Sequence, residues 1–185
     1  MPINRKHKFG ILTAGAIALL VGTASQQGIL PHWEGLTNPK IVNGERVSVA
    51  IHQKFDPKGV ITVCHGRTNL DDPTLKEGDV YTVVMCRDLL RADVPKYHAQ
   101  IVPCLPADLE VGDHQQAAMI SFAYNVGKGN FCPSSVGRAF RAGRREEACR
   151  NMGKFTRAAG VVLPGLQNRR YDGFIGEIAW CLRDD

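Results

Sequence analysis

Glu34 and Asp56 are the two carboxylates whose surroundings suit a divided acid–base task. Glu34 stands in His32-Trp33-Glu34-Gly35, beside a large apolar ring. A carboxyl held against an apolar wall resists ionisation and can act as a general acid. Asp56 stands in Asp56-Pro57-Lys58-Gly59, a turn between two runs rich in β-branched residues. A solvated turn carboxylate stays ionised and can orient a water as base. One neutral acid and one ionised carboxylate flanking a bond is the arrangement used on glycosides. As local chemistry alone, both also fit ordinary roles: Asp before Pro is a turn former, and Trp-Glu is a common pair. Other chemistries find little support. The chain has no G-x-S-x-G elbow, H-E-x-x-H, P-loop or Rossmann glycine pattern. Its histidines (His7, His32, His52, His65, His98 and His114) lack metal-ligand spacing and read mostly as surface or hairpin residues. No metal and no cofactor is expected.

The elements that must hold these residues divide into a sheet part and a helical part. From Ile41 to Cys64, Val47, Val49 and Ile51 alternate with Ser48, Ala50 and His52, which predicts a β-hairpin or small sheet. Beyond Gly66 the spacing turns helical. Asp79 is expected to cap a helix carrying Val80, Val83, Val84 and Leu90. A second helix is expected from about Asp108 to Val126, with Ala117, Ile120, Phe122 and Ala123 inward. Shorter helices fit Ser134 to Ala142 and Arg145 to Met152, and a last one about Leu166 to Leu182. The predicted class is α+β, a small β-hairpin lobe joined to a larger helical lobe, with a cleft between lobes as the expected ligand site.

The N-terminus reads as an export signal. Arg5, Lys6, His7 and Lys8 precede an uncharged stretch from Phe9 to Pro31. Positive charge before an apolar run holds the N-terminus in the cytoplasm and sends the rest across the membrane. Its strongly apolar part, Phe9 to Val21, is short for a span of roughly 20 residues. Either a signal peptide cleaved after Gly22-Thr23-Ala24 or a weakly held membrane helix fits. The expected division is a signal segment over 1–31 and one domain over 32–185. The six cysteines, Cys64, Cys86, Cys104, Cys132, Cys149 and Cys181, contain no C-x-x-C pair. In an exported chain they read as three disulfides. About fifteen pairings are possible, with Cys132–Cys149 as the expected local one. The net charge of +5 suits an anionic partner such as cell wall or membrane surface. The basic residues are scattered and form no long tract, and a nucleic-acid partner is not expected.

Several segments together resemble a known family. Trp33-Glu34-Gly35-Leu36, followed by Asp56-x-x-Gly59-x-x-Thr62-Val63-Cys64-x-Gly66-x-Thr68, is similar to the catalytic segment of T4 lysozyme-like phage lysozymes, glycoside hydrolase family 24. Ser121 to Gly127 resembles the family's core helix and its Asn-Val-Gly turn. Gly160 to Arg170 resembles its Gly-Leu-x-x-Arg-Arg segment, and Cys86 and Phe131-Cys132 fit the cysteine-rich endolysin branch. The resemblance implies a lysozyme-like fold and hydrolysis of the β-1,4 bond from N-acetylmuramic acid to N-acetylglucosamine in peptidoglycan glycan strands. It implies Glu34 as the acid, Asp56 as the residue that activates water, and Thr62 as the residue that holds that water. The family inverts configuration, which implies carboxyls roughly 6.5 to 9.5 Å apart. A monomer is expected.

Two departures accompany the likeness. The gap from Glu34 to Asp56 is 22 residues, where the family has about nine. The extra residues, about Thr37 to Val49, make Glu45 a rival second carboxylate. Arg67 stands where the family often has His. The N-terminus is similar to a signal-anchor-release segment, which implies periplasmic export with inner-membrane anchoring or release. The competing expectations are a catalytically inactive, membrane-tethered wall-binding protein and an unrelated disulfide-rich exported interaction protein.

Overall fold

The computed structural model describes residues 6–52 and 59–183. In chain order the elements are β1 (His7–Lys8), α1 (Ala14–Val21), α2 (Ile29–Glu34), β2 (Pro39–Val42), β3 (Glu45–Val49), β4 (Ile51–His52), β5 (Ile61–Val63), β6 (Arg67–Thr68) and β7 (Val80–Thr82). Then follow α3 (Val83–Ile101), β8 (Glu110–Val111), α4 (Asp113–Val126), α5 (Lys128–Phe131), α6 (Ser135–Arg141), α7 (Arg145–Asn151), β9 (Arg157–Ala158), β10 (Val161–Val162), α8 (Pro164–Tyr171) and α9 (Glu177–Cys181). The chain divides into two units. Residues 30–93 form one, and residues 1–29 with 94–185 form the other, the boundary falling inside α3.

The smaller unit holds two three-stranded antiparallel sheets, ordered β2-β3-β7 and β4-β5-β6. The stretch expected to be an insertion, about Thr37 to Val49, holds the β2–β3 hairpin. Its turn, Asn43-Gly44, has φ of 50° and 80°, a pair that Asn and Gly tolerate best. Ala50, Val63, Cys64, Leu75 and Cys86 form the core, with Leu36, Ile61, Tyr81 and Leu89 packed against it. Ser48 ties the layers. Its Oγ donates to the Thr37 carbonyl at 2.6 Å and accepts from the Cys64 amide at 2.8 Å. Val80–Thr82 pairs with β3 instead of opening a helix, so α3 starts at Val83 and leaves Val83 and Val84 exposed. The helical spacing of Val80, Val83 and Val84 comes from a strand running into a helix. Leu90 is buried as expected.

In the larger unit α4 is the central helix, with Ala117, Ile120, Phe122 and Ala123 buried. It starts at Asp113, not near Asp108, because Glu110–Val111 pairs with His7–Lys8. The short helices at 135–141 and 145–151 form close to their expected bounds. The expected last helix is two helices. Asp172 Oδ1 accepts from the amides of Phe174 and Ile175, both at 2.8 Å, and this turn separates α8 from α9. Glu177 is fully buried between Arg169 and Arg170; Arg169 Nε donates at 2.8 Å, and Arg170 pairs with the other oxygen.

The N-terminal segment folds into this unit. Thr13 caps α1, its Oγ1 accepting from Ala16 at 3.0 Å and donating to Asp113 at 2.5 Å. Ala16, Leu20 and Val21 are buried, and α1 packs on α4. Gln116, buried on α4, donates to the carbonyls of Phe9 and Ile11 at 3.0 and 2.9 Å. No described helix is long and apolar enough to cross a membrane. In this structure the apolar stretch holds an eight-residue helix, α1, capped by Thr13, ended at Gly22 and packed on α4.

The disulfides are Cys64–Cys86, Cys104–Cys132 and Cys149–Cys181. The expected Cys132–Cys149 bond does not form. Packing of α7 on α9 brings Cys149 to Cys181. Arg141 instead donates to the carbonyls of both Cys104 and Cys132, at 3.3 and 2.9 Å.

Candidate active site

Glu34 is the last residue of α2, within the smaller unit, and is half-buried. Its neighbour Trp33 meets the His32 ring edge-on at 4.5 Å. Gly35 ends the helix. Its amide donates to Pro31 at 3.2 Å, and its φ of 66° is a conformation that favours glycine. The chain after Gly35 is stitched to the loop after β5. The Thr37 amide donates to the Cys64 carbonyl at 2.7 Å, and His65 Nδ1 hydrogen-bonds the Gly35 carbonyl. Cys64, itself at φ 58°, is bonded to Cys86 on α3, which anchors that loop to the core.

Thr62 lies on β5, the middle strand of its sheet, opposite Ile51 and Thr68. Its side-chain hydroxyl is buried and has no hydrogen-bond partner among the described residues. A buried hydroxyl without a partner is costly, and usually marks the place of a water or ligand. Glu34 and Thr62 thus belong to one unit, each within three residues of the bonds that join residues 35–37 to 64–65. Asp56 lies outside the described residues. Glu45 is exposed and begins β3 directly after the Asn43-Gly44 turn. Among the described residues no group of three His, Cys, Asp or Glu is placed to hold a metal ion.

One residue close to Glu34, His65, was not singled out in the sequence. His65 is buried, not a surface histidine, and burial pushes its imidazole below the ordinary value, against the Gly35 hydrogen bond and the Glu34 charge. Arg67 is paired with Asp93 and Asp72. His98 in the larger unit is also buried, with Nε2 donating to the Phe9 carbonyl at 2.7 Å.

A mixed α+β chain of this order, with a sheet unit following a short Glu-bearing helix, defines a lysozyme-like fold. The muramidase domain of SpmX from Asticaccaulis excentricus superposes with a TM-score of 0.67 at 22% identity, over 94% of this chain and 98% of that one. An endolysin from Escherichia coli O157:H7 phage FAHEc1 gives 0.65 at 21% identity, over 95% of each. The phage lysozyme family profile matches residues 46–172, and the chain belongs to that family, a family of muramidase-type glycoside hydrolases acting on peptidoglycan. Among relatives, the SAR-endolysin of Bacteriophage PS119 is 36% identical over 115 residues, 62% of this chain and 66% of that protein. The chain therefore spans about two thirds of that relative's length. The SAR-endolysin of Escherichia phage Mu is 29% identical over 158 residues, 83% of this chain and 84% of that protein.

Proposed function

We propose that this chain is an endolysin that hydrolyses the β-1,4 bond between N-acetylmuramic acid and N-acetylglucosamine in peptidoglycan, for lysis of a bacterial host. Glu34 protonates the leaving glycosidic oxygen. Asp56 takes a proton from a water on the opposite face of the sugar, and Thr62 holds that water. The sugar configuration is inverted, since the carboxylate acts on water and not on carbon. The observation that carries the reading is the buried, unpartnered hydroxyl of Thr62 in the unit that bears Glu34. Zymography on peptidoglycan, with the product anomer followed by NMR, tests it. Glu34→Gln and Asp56→Asn should lower clearing at least a hundredfold, and Thr62→Ala at least tenfold. Full activity of Glu34→Gln overturns the assignment, and wild-type activity of Asp56→Asn moves the second role to another carboxylate, Glu45 first.

The protein acts in the periplasm as a monomer, carried there by residues 1–31 as a signal segment, with 32–185 as the catalytic domain. The basic run before an apolar stretch, and relatives named as SAR-endolysins, support anchoring at the inner membrane followed by release. The docked α1 suits a released form. Fractionation before and after an uncoupler tests this. Full-length protein should move from the membrane to the soluble fraction, and a chain already soluble and starting near Ser25 overturns anchoring.

A further inference from the structure

We infer that His65 is the positioning residue for Glu34: its imidazole fixes the Gly35 peptide at the end of α2 and so sets where the acid side chain is presented. This rests on Glu34 being the general acid. The geometry gives His65 a defined role. Glu34 is the last helical residue; the Gly35 amide still donates to Pro31, and the chain leaves the helix at the left-handed Gly35. The direction of the Gly35–Leu36 peptide fixes the end of α2, the frame from which Glu34 projects. Its carbonyl can only accept, so Nδ1 of His65 carries the hydrogen and donates. In the neutral ring Nε2 then carries no hydrogen, which fixes the tautomer.

The anchor behind His65 is held by a disulfide and a backbone hydrogen bond. It follows Cys64, which is joined to Cys86 and accepts the Thr37 amide at 2.7 Å. Two hydrogen bonds, Gly35 to His65 and Thr37 to Cys64, therefore clamp the exit of α2 to one disulfide-held loop. The ring is buried, and burial disfavours its imidazolium form. A misplacement of about 1 Å at a general acid can cost about a hundredfold in rate, which is why one backbone hydrogen bond is enough to matter.

The test uses side chains that keep or lose the donor at one ring position. Asn carries an amide nitrogen near the place of Nδ1, Gln carries one near the place of Nε2, and Phe keeps the ring without a donor. Turnover of soluble glycan-strand oligomers by the full chain is measured for His65→Asn, His65→Gln and His65→Phe, with Glu34→Gln alongside. His65→Asn should keep kcat within about threefold. His65→Gln and His65→Phe should lose about tenfold or more in kcat with KM within about twofold. In the wild type the imidazole 15N shifts should report a neutral ring protonated at Nδ1. Equal losses in His65→Asn and His65→Phe, wild-type kcat in His65→Gln, or a ring protonated at Nε2 overturns the proposal. If Glu34→Gln is inactive while His65→Gln turns over normally, only the positioning role fails. If Glu34→Gln is active, the acid assignment fails first.

Discussion

Arg67 Nη1 donates to both carboxylate oxygens of Asp93, at 2.9 and 2.7 Å, while its Nη2 reaches Asp72 at 3.4 Å. The pair joins β6 to α3, and both side chains are mostly buried. Removing one partner leaves the other charge poorly solvated. Asp93→Ala should cost about 2 to 3 kcal/mol in chemical denaturation. Arg67→Lys should lose about 1 kcal/mol, because an ammonium lacks the planar fork. Equal stability of Asp93→Ala and wild type would show that the pair is neutral.

Glu177 presents a sharper case, being shared by Arg169 and Arg170 with no solvent exposure. Arg169 also donates to the Ser121 carbonyl at 2.9 Å, and Arg170 to Asn125 at 2.5 Å. Glu177→Ala strands two buried guanidiniums. We expect a loss of about 3 to 5 kcal/mol, read as a thermal midpoint lower by about 10 °C.

The docked N-terminal segment depends on one side chain more than its apolar content suggests. Gln116→Leu keeps the apolar volume but abandons the carbonyls of Phe9 and Ile11. The expected cost is about 2 kcal/mol, with faster amide exchange confined at first to residues 9–21. Gly28→Ala should do likewise by sterics, since a Cβ there would lie 2.3 Å from the Gly22 nitrogen and 2.5 Å from the Leu20 carbonyl oxygen. Uniform exchange across both units would contradict this.

Acid should destabilise the fold through His98. Burial lowers its pKa from 6.5, helped by His7 and opposed by the Phe9 hydrogen bond. The folded state thus binds its proton later than the unfolded chain does. Stability is full above the unfolded value of 6.5 and falls as pH drops below it towards the folded value. The slope from this one group reaches at most about 1.4 kcal/mol per pH unit. His65 is shifted in the same direction and adds to it. His98→Gln keeps a donor without the titration, so its unfolding free energy should fall less between pH 7 and 5. An unchanged slope would remove His98 from the account.

Part of the fold around Glu34 and Thr62 was legible because local chemistry dictated it. The helix that ends at Glu34 was not foreseen in the sequence, although Gly35 supplies the left-handed conformation that ends it. The alternation across Val47 to Ile51 had to form strands, and the stripe through Ala117 to Ala123 had to be the core helix. The spacing from Gly59 to Thr68 carried the family likeness. These are short-range constraints, set by backbone sterics and by one-face burial. What the tertiary structure decided involves partners far apart in the chain. Cys149 bonds Cys181 and not Cys132 because helix packing, not chain distance, chooses neighbours. Val80 joins a strand because β3 offers it an edge. The segment 9–21 has the composition of a membrane signal and also of a core helix. Gln116 and Asp113, about 100 residues away, provide the hydrogen bonds that make it the latter in this fold. His65 looked like any scattered histidine until the Gly35 carbonyl, 30 residues earlier, was brought to its ring.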